Sequence, residues 1–298
     1  MILLSLGSPC VGHADVNPPH VLQAQRHCQV LKCTEAIADS NKVCRLNGAL
    51  DQVHDIDGEK FIDAMYDTVH VDEKWFFMTR LQRKVIGAPG EKIKQRTCKS
   101  KRHLLKVMFL SAVARPRWDD TKQQWFDGKI CTWHFTETVL AQRRSCRRDA
   151  GTPVMNVTRP TYKAMLIDNV IPSIRSKWPS GESRAIKIQQ GNARPHMPPS
   201  DVDIVAACKA EGWDMQVVFQ PPNSPDLNVL DLGFFHAIQT LQVENHSSSL
   251  EEIVAATEEA WTRVSPLTLN KNFFTLQRCL EEKRSCSAMV GMTIRSHI

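Results

Sequence analysis

The stretch that most constrains this chain runs from Gln220 to Gln239, QPPNSPDLNVLDLGFFHAIQ. Just before it, Met215 to Phe219 is a mostly apolar run bounded by breakers, the pattern of a buried strand. Pro221 and Pro222 lack the N–H that a sheet ladder needs, so the chain must turn there. Asn223-Ser224-Pro225-Asp226 is turn chemistry, with side-chain oxygens able to cap a helix start. From Asn228 onward, Leu230, Phe234, Ile238 and Leu241 recur at helical spacing, so a helix leaves the turn. Asp231 falls in its first turn, where the helix dipole favours a carboxylate. Taken alone, that is a helix acid with a structural job.

Two other blocks change the weighing. Val69-His70-Val71-Asp72-Glu73-Lys74-Trp75-Phe76 sets an acid near the middle of a β-branched and aromatic strand, Thr68 to Phe77. An acid in a buried strand is rare unless it is paired or metal-bound. Ile188-Gln189-Gln190-Gly191-Asn192-Ala193-Arg194-Pro195-His196 is a polar segment leaving another short strand, Ala185 to Gln189. In this order the three blocks resemble the catalytic blocks of mariner-like transposases of the Asp-Asp-Asp/Glu superfamily, over about Asp63 to Leu241.

The resemblance implies a ribonuclease-H-like fold, DNA as partner, a homodimer that pairs DNA ends, and residence in the nucleus. It implies Asp72 and Asp231 as catalytic residues that hold Mg²⁺ or Mn²⁺, hard cations that take oxygen ligands. One position departs from the family: Gly191-Asn192-Ala193 stands where the family has Asp-Asn-Ala. Glycine offers no side-chain oxygen, and the neutral amide of Asn192 is a poorer ligand for a hard cation. Asp201 and Asp203 lie too far along the chain to substitute, and Asp226 belongs to the turn. The expectation is a transposase or its remnant, inactive in this copy, that binds nucleic acid. The alternative is a non-catalytic DNA-binding or scaffold protein of the same descent.

The partner implied by the motifs agrees with the charge. A net charge of +6 suits a polyanion without demanding one. Lys92, Lys94, Arg96, Lys99, Lys101, Arg102 and Lys106 crowd one segment against a single acid, Glu91, and Arg143, Arg144, Arg147 and Arg148 form a second cluster. Each is a solvated face, a phosphate-binding patch or a nuclear-localisation signal; Lys99, Lys101 and Arg102 are the candidate DNA contacts. No run approaches the roughly 18 apolar residues of a membrane span, and Met1 to Leu6 lacks the basic start of a secretory signal. The ten cysteines form no Cys-x-x-Cys pair, which argues against zinc and for reduced thiols inside a cell.

Around the three blocks the pattern is α/β. Residues 1–60 read as a remnant and connector, with a helical stripe over Thr34 to Val53 that resembles the family's link into its core. The resemblance implies helix-turn-helix units ahead of the core, and two such units are not found among the residues before Asp72, so truncation of the sequence-specific DNA reader is the simplest account. Residues 61–245 read as the catalytic domain. Its strands are Thr68 to Phe77, a short second one at Arg83 to Ile86, and Lys106 to Ala114, a nearly continuous apolar run. Trp118 to Arg148, around the turn Phe126-Asp127-Gly128-Lys129, reads as a projection. A helix over Thr161 to Trp178 carries Pro172 as a kink, and Ser200 is the N-cap candidate of the next helix. Residues 246–298 read as a helical C-terminal segment, with Ser249 and Glu252 spaced as a cap. The alternation predicts a mixed sheet covered on both faces by helices. His70 shares a strand face with Asp72 and either lines its pocket or is a satisfied core histidine. His196 either contacts substrate phosphate or is a loop histidine without a role. Glu73 points to the opposite face and reads as structural.

Overall fold

Helix α1 (Asp39–Leu50) leads into a two-stranded antiparallel hairpin, β1 (Val53–Ile56) and β2 (Glu59–Ile62). The computed structural model describes residues 39–56, 59–78, 105–136, 156–245, 247 and 249–294. Helix α1 falls within the predicted stripe, but Val53 opens β1 instead of closing the helix. The Arg83–Ile86 strand and both basic clusters apart from Lys106 lie outside the described residues.

The five-stranded sheet is built on β3 (Thr68–Phe77) and β4 (Lys106–Ala114), antiparallel partners that run from Val69 opposite Ala114 to Phe77 opposite Lys106. A small hairpin, β5 (Arg117–Asp119) and β6 (Gln124–Phe126), comes after β4. Gly128, at φ +75°, then turns the chain into β7 (Lys129–His134), which pairs antiparallel with β4. Glycine is required there because a Cβ would sit against the Ala114 carbonyl. The segment read as a projection therefore holds the sheet's third strand. Its six residues, KICTWH, include two charge-bearing side chains and a threonine, too short and polar a run to stand out as a strand.

Two parallel strands complete the sheet, β8 (Ala185–Gln190) beside β3 and β9 (Asp214–Phe219) beside β8. The strand order is β7-β4-β3-β8-β9, a mixed sheet with β3 at its centre. Helices cover both faces, as the alternation predicts. On one side Val69, Val71, Ile186 and Ile188 pack with Tyr162, Leu166 and Ile174. These come from α2 (Arg159–Met165), a π-type turn (Leu166–Val170) and α3 (Ile171–Lys177). The wider turn stands directly ahead of Pro172, whose missing N–H and ring loosen the preceding ladder. Helix α4 (Val202–Lys209) completes this layer, capped by Asp201 and not by Ser200. The Asp201 carboxylate accepts from the Asp203 and Ile204 amides, and the helix N-terminus favours its charge over a hydroxyl.

On the other face Phe76, Phe109 and Val113 pack with Phe234, Phe235, Trp261 and Phe273. These come from a π-type segment (Leu230–Phe234) and α5 (Phe235–Glu244), from α6 (Leu250–Arg263) and from α7 (Pro266–Ile294). Ser249 caps α6 by accepting from the Glu252 amide, as its spacing predicts. A buried lysine joins this layer to the sheet: Lys129 Nζ donates to the carbonyls of Trp261, Thr262 and Val264 at 3.3, 3.0 and 3.1 Å. Those are the orphan acceptors of a helix C-terminus, where a cation is also favoured by the dipole.

Candidate functional site

Asp72 lies on the central strand opposite Ser111 of β4, half-buried, on the side of the sheet that faces α5 to α7. Its Oδ1 accepts from the Glu73 amide at 2.8 Å and its Oδ2 from Asn228 Nδ2 at 2.7 Å. Asn228 is the hinge of the organising stretch. Its own Oδ1 accepts from the Leu230 amide at 3.0 Å, and its carbonyl accepts from the Asp231 amide at 3.2 Å. One buried side chain thus fastens the start of the Asp231 helix to the Asp72 carboxylate.

The helix begins as a π-type segment because Gly233, at φ +149°, breaks the regular dihedrals. A Cβ there would come within 2.9 Å of Asn272 Oδ1, so α7 packs directly on the glycine. The turn before it is pinned from outside: Arg45 of α1 donates to both Asp226 oxygens at 3.0 and 2.9 Å, and Lys283 of α7 pairs with the same carboxylate.

The electrostatics bring the two acids together. Burial first, then the Asp231 charge, then Glu73, push the Asp72 carboxyl up to about 7. Asp231 is exposed at the rim, yet the surrounding protein desolvates it enough to raise its carboxyl, while the Lys74 ammonium draws it back down.

The second block sits beside them. Strand β8 runs parallel to β3 with His70 level with Gln189, so two further residues set Gly191 beside Asp72. The space a Gly191 side chain would enter borders His196: a Cβ would stand 3.2 Å from His196 Cε1. His196 is buried and clamped, Nδ1 at 2.6 Å from the Gly191 carbonyl and Nε2 at 2.8 and 3.1 Å from the Glu73 carboxylate. It also stacks on the buried Tyr162 ring at 4.5 Å. Burial opposes its charge, but the hydrogen bond and charge of Glu73 outweigh it and raise the imidazole above its usual range. Buried so, His196 is not placed to contact a substrate phosphate. Glu73 holds this imidazolium, and its carboxylate lies close enough to Asp72 to raise that carboxyl as well. Glu73 and His196 are 123 positions apart, and no local pattern joins them.

His70 is fully enclosed and packs edge-on against Phe273 with ring centroids 5.5 Å apart. Neither ring nitrogen has a protein partner, so it is not the satisfied core histidine of the alternative. Asn192 is exposed, and its amide donates to the Gln220 carbonyl. Asp201 and Asp203 both pair with Lys163, well occupied elsewhere. Lys99, Lys101 and Arg102 lie outside the described residues. Among the described residues, no group of three or more His, Cys, Asp or Glu side chains is placed to hold a metal ion. The donor set at this cleft, two carboxylates and an amide already engaged, does not fit the two-ion site that the family implies.

A five-stranded mixed sheet in the order β7-β4-β3-β8-β9, with helices on both faces and an acid on its central strand, is a ribonuclease-H-like fold. Neither a protein-family model nor a curated protein matches the sequence. Solved structures do. The catalytic domain of Mos1 mariner transposase superposes with a TM-score of 0.54 at 15% identity, over 85% of this chain and 96% of that one. The Mos1 transposase paired-end complex with left transposon end gives 0.58 at 17% identity, over 85% and 63%. The mariner Mos1 paired end complex with Mg gives 0.57 at 16% identity, over 92% and 66%. The chain thus spans just under two thirds of the length of the transposase in those complexes. It has the fold of the mariner transposase catalytic domain.

Proposed function

We propose that this protein is a mariner-like transposase core that binds DNA and does not cut it. The observation that carries the reading is the Asp72–Asn228–Asp231 arrangement, set on a fold shared with a transposase solved in paired-end complexes. A carboxyl whose proton affinity is raised by burial and by a second acid beside it is what remains of a site built to hold cations. Gly191 withholds the third anionic oxygen, and the His196–Glu73 pair occupies the space beside it. Family members use Mg²⁺ or Mn²⁺ to activate the attacking oxygen and stabilise the leaving one. This donor set supports no such step, so the retained property is affinity for DNA, in the nucleus, as a homodimer.

The test is duplex DNA binding by the full chain, monitored by fluorescence anisotropy across a salt series. Each phosphate contact contributes about 0.9 to the slope of log affinity against log salt. Wild-type protein should bind and should leave a supercoiled plasmid intact in Mg²⁺ or Mn²⁺. Replacing Lys99, Lys101 and Arg102 with alanine should flatten the slope by about 2 to 3. Absence of binding at low salt would overturn the reading, and an unchanged slope would remove those three residues from the interface.

A further inference from the structure

The two edges of the sheet are built differently. At one, β7 holds the buried Lys129 and shifts register against β4 between Ala112 and Val113. Inward charges and bulges of that kind keep an edge strand from pairing further. At the other edge, β9 runs beside β8 in unbroken register from Asp214 to Phe219, DMQVVF, without proline, glycine or lysine. Its bonding direction is fixed at both ends. The Asp214 amide donates to the Arg184 carbonyl at 3.1 Å, and the Gln220 amide to the Gln190 carbonyl at 2.7 Å. The even-numbered residues therefore bond to β8. The N–H and C=O of Met215, Val217 and Phe219 point outward, where no further strand stands among the described residues.

Helix α4 lies over the same edge. Val202, Val205, Ala206 and Lys209 recur at helical spacing and are all exposed, an apolar stripe ending in one lysine. Val205 and Lys209 line a groove of about 230 Å³ with Met215, Gln216 and Val217, which sets the stripe alongside the outer strand. The Lys209 ammonium pairs with the Asp214 carboxylate of β9.

The outward residues are spaced evenly about Val217, so this strand is complementary to itself. We infer that two copies of the chain join at β9, antiparallel about a two-fold axis through Val217, into one continuous sheet. Val217 then faces its own counterpart and Met215 faces Phe219, and the three outward residues of each copy exchange about six hydrogen bonds. Between them Gln216 falls opposite Val218 and Asp214 opposite Gln220, so no like charges meet. The axis stands normal to the sheet, which puts both copies of α4 on one face. Val205, beside Val217 in the groove, then meets its counterpart. The inference rests on the homodimer of the proposed function and gives it a surface.

Sedimentation velocity of the full chain tests it. Wild type should pass from monomer towards dimer between about 1 and 100 µM, the range of a small interface. Phe219→Pro removes an outward N–H and no bond to β8, and should weaken the dimer at least about tenfold. Should that variant fold poorly, Val205→Lys changes only an exposed side chain of α4 and sets like charges across the axis, with a similar loss expected. Val205→Lys mixed with Val205→Glu should restore a dimer, now of unlike copies. A wild-type chain that stays monomeric at about 100 µM overturns the inference. So does a dimer that survives both substitutions, or a Lys and Glu mixture that stays monomeric. Fluorescence anisotropy on the same samples scores the proposed function apart. A monomer that binds duplex DNA overturns the β9 junction alone, and a β9 dimer that does not bind DNA overturns the DNA reading alone.

Discussion

Asp72→Asn should change sign in its effect on stability between acid and alkaline pH. In the folded chain the Asp72 carboxyl is raised from 3.8 to about 7. Between those values the native state holds a proton that the unfolded chain has released, so stability falls as pH rises through the window and levels off above about 7. Three units at 1.36 kcal/mol each set an upper bound of about 4 kcal/mol on that loss. Asparagine cannot ionise, so the variant escapes it. The amide does lose one contact: Asn228 Nδ2 donates to Asp72 Oδ2, and Asn228 Oδ1 is already held by the Leu230 amide, so two donors would meet. That mismatch costs about 1–3 kcal/mol at every pH. The expected result is a variant less stable than wild type at pH 4 by about 1–3 kcal/mol and more stable at pH 8 by a similar amount. Urea unfolding monitored by tryptophan fluorescence in EDTA measures both. A difference of one sign and constant size from pH 4 to pH 8 would show that Asp72 is not held protonated by its surroundings.

Two other substitutions test what holds the site in place. Lys129→Met strips the α6 C-terminus of three hydrogen bonds and should cost about 2–4 kcal/mol, lowering the thermal midpoint by roughly 5–10 °C; an unchanged midpoint would dismiss the clamp. Asp226→Asn leaves Arg45 facing Lys283, which burial and the Arg45 charge already lower to about 8. It should cost about 2 kcal/mol and speed amide exchange at Leu230 to Leu232; exchange as slow as in wild type would mean the turn is held by other contacts.

The parts of this fold legible in the sequence are those with a local signal. Strand β3 is rich in β-branched and aromatic residues, β4 is a near-continuous apolar run, and breakers bound β9, so all three could be read directly. Strand β7 could not, because a mixed run of six residues carries no clear period and its place at the sheet's edge is set by pairing with β4 and by contacts with distant helices. The same division runs through the site. Asp72 stands out because an acid in a buried strand is a local anomaly, whereas Asp231 is ordinary at a helix start and is singled out only by the motif around it. The Glu73–His196 pair and the Arg45–Asp226–Lys283 cluster join distant segments, and only the fold reveals them. His70 was recognisable as sharing a face with Asp72, but its missing partners depend on how α7 and Phe273 close over it.

The central claim is that this cleft lacks one anionic ligand and is otherwise assembled. Restoring it with Gly191→Asp is feasible in space: the new Cβ meets His196 Cε1 at 3.2 Å, a contact relieved by a few tenths of an ångström of ring movement. Calorimetric titration of Mn²⁺ into wild type, Gly191→Asp, and Gly191→Asp with Asp72→Ala measures the outcome directly. Wild type should bind weakly, the single variant at least about tenfold more tightly, and the double variant should lose that gain, because three hard oxygen donors act as one site. A Gly191→Asp protein that gains no Mn²⁺ affinity, or a gain that survives Asp72→Ala, would contradict the account.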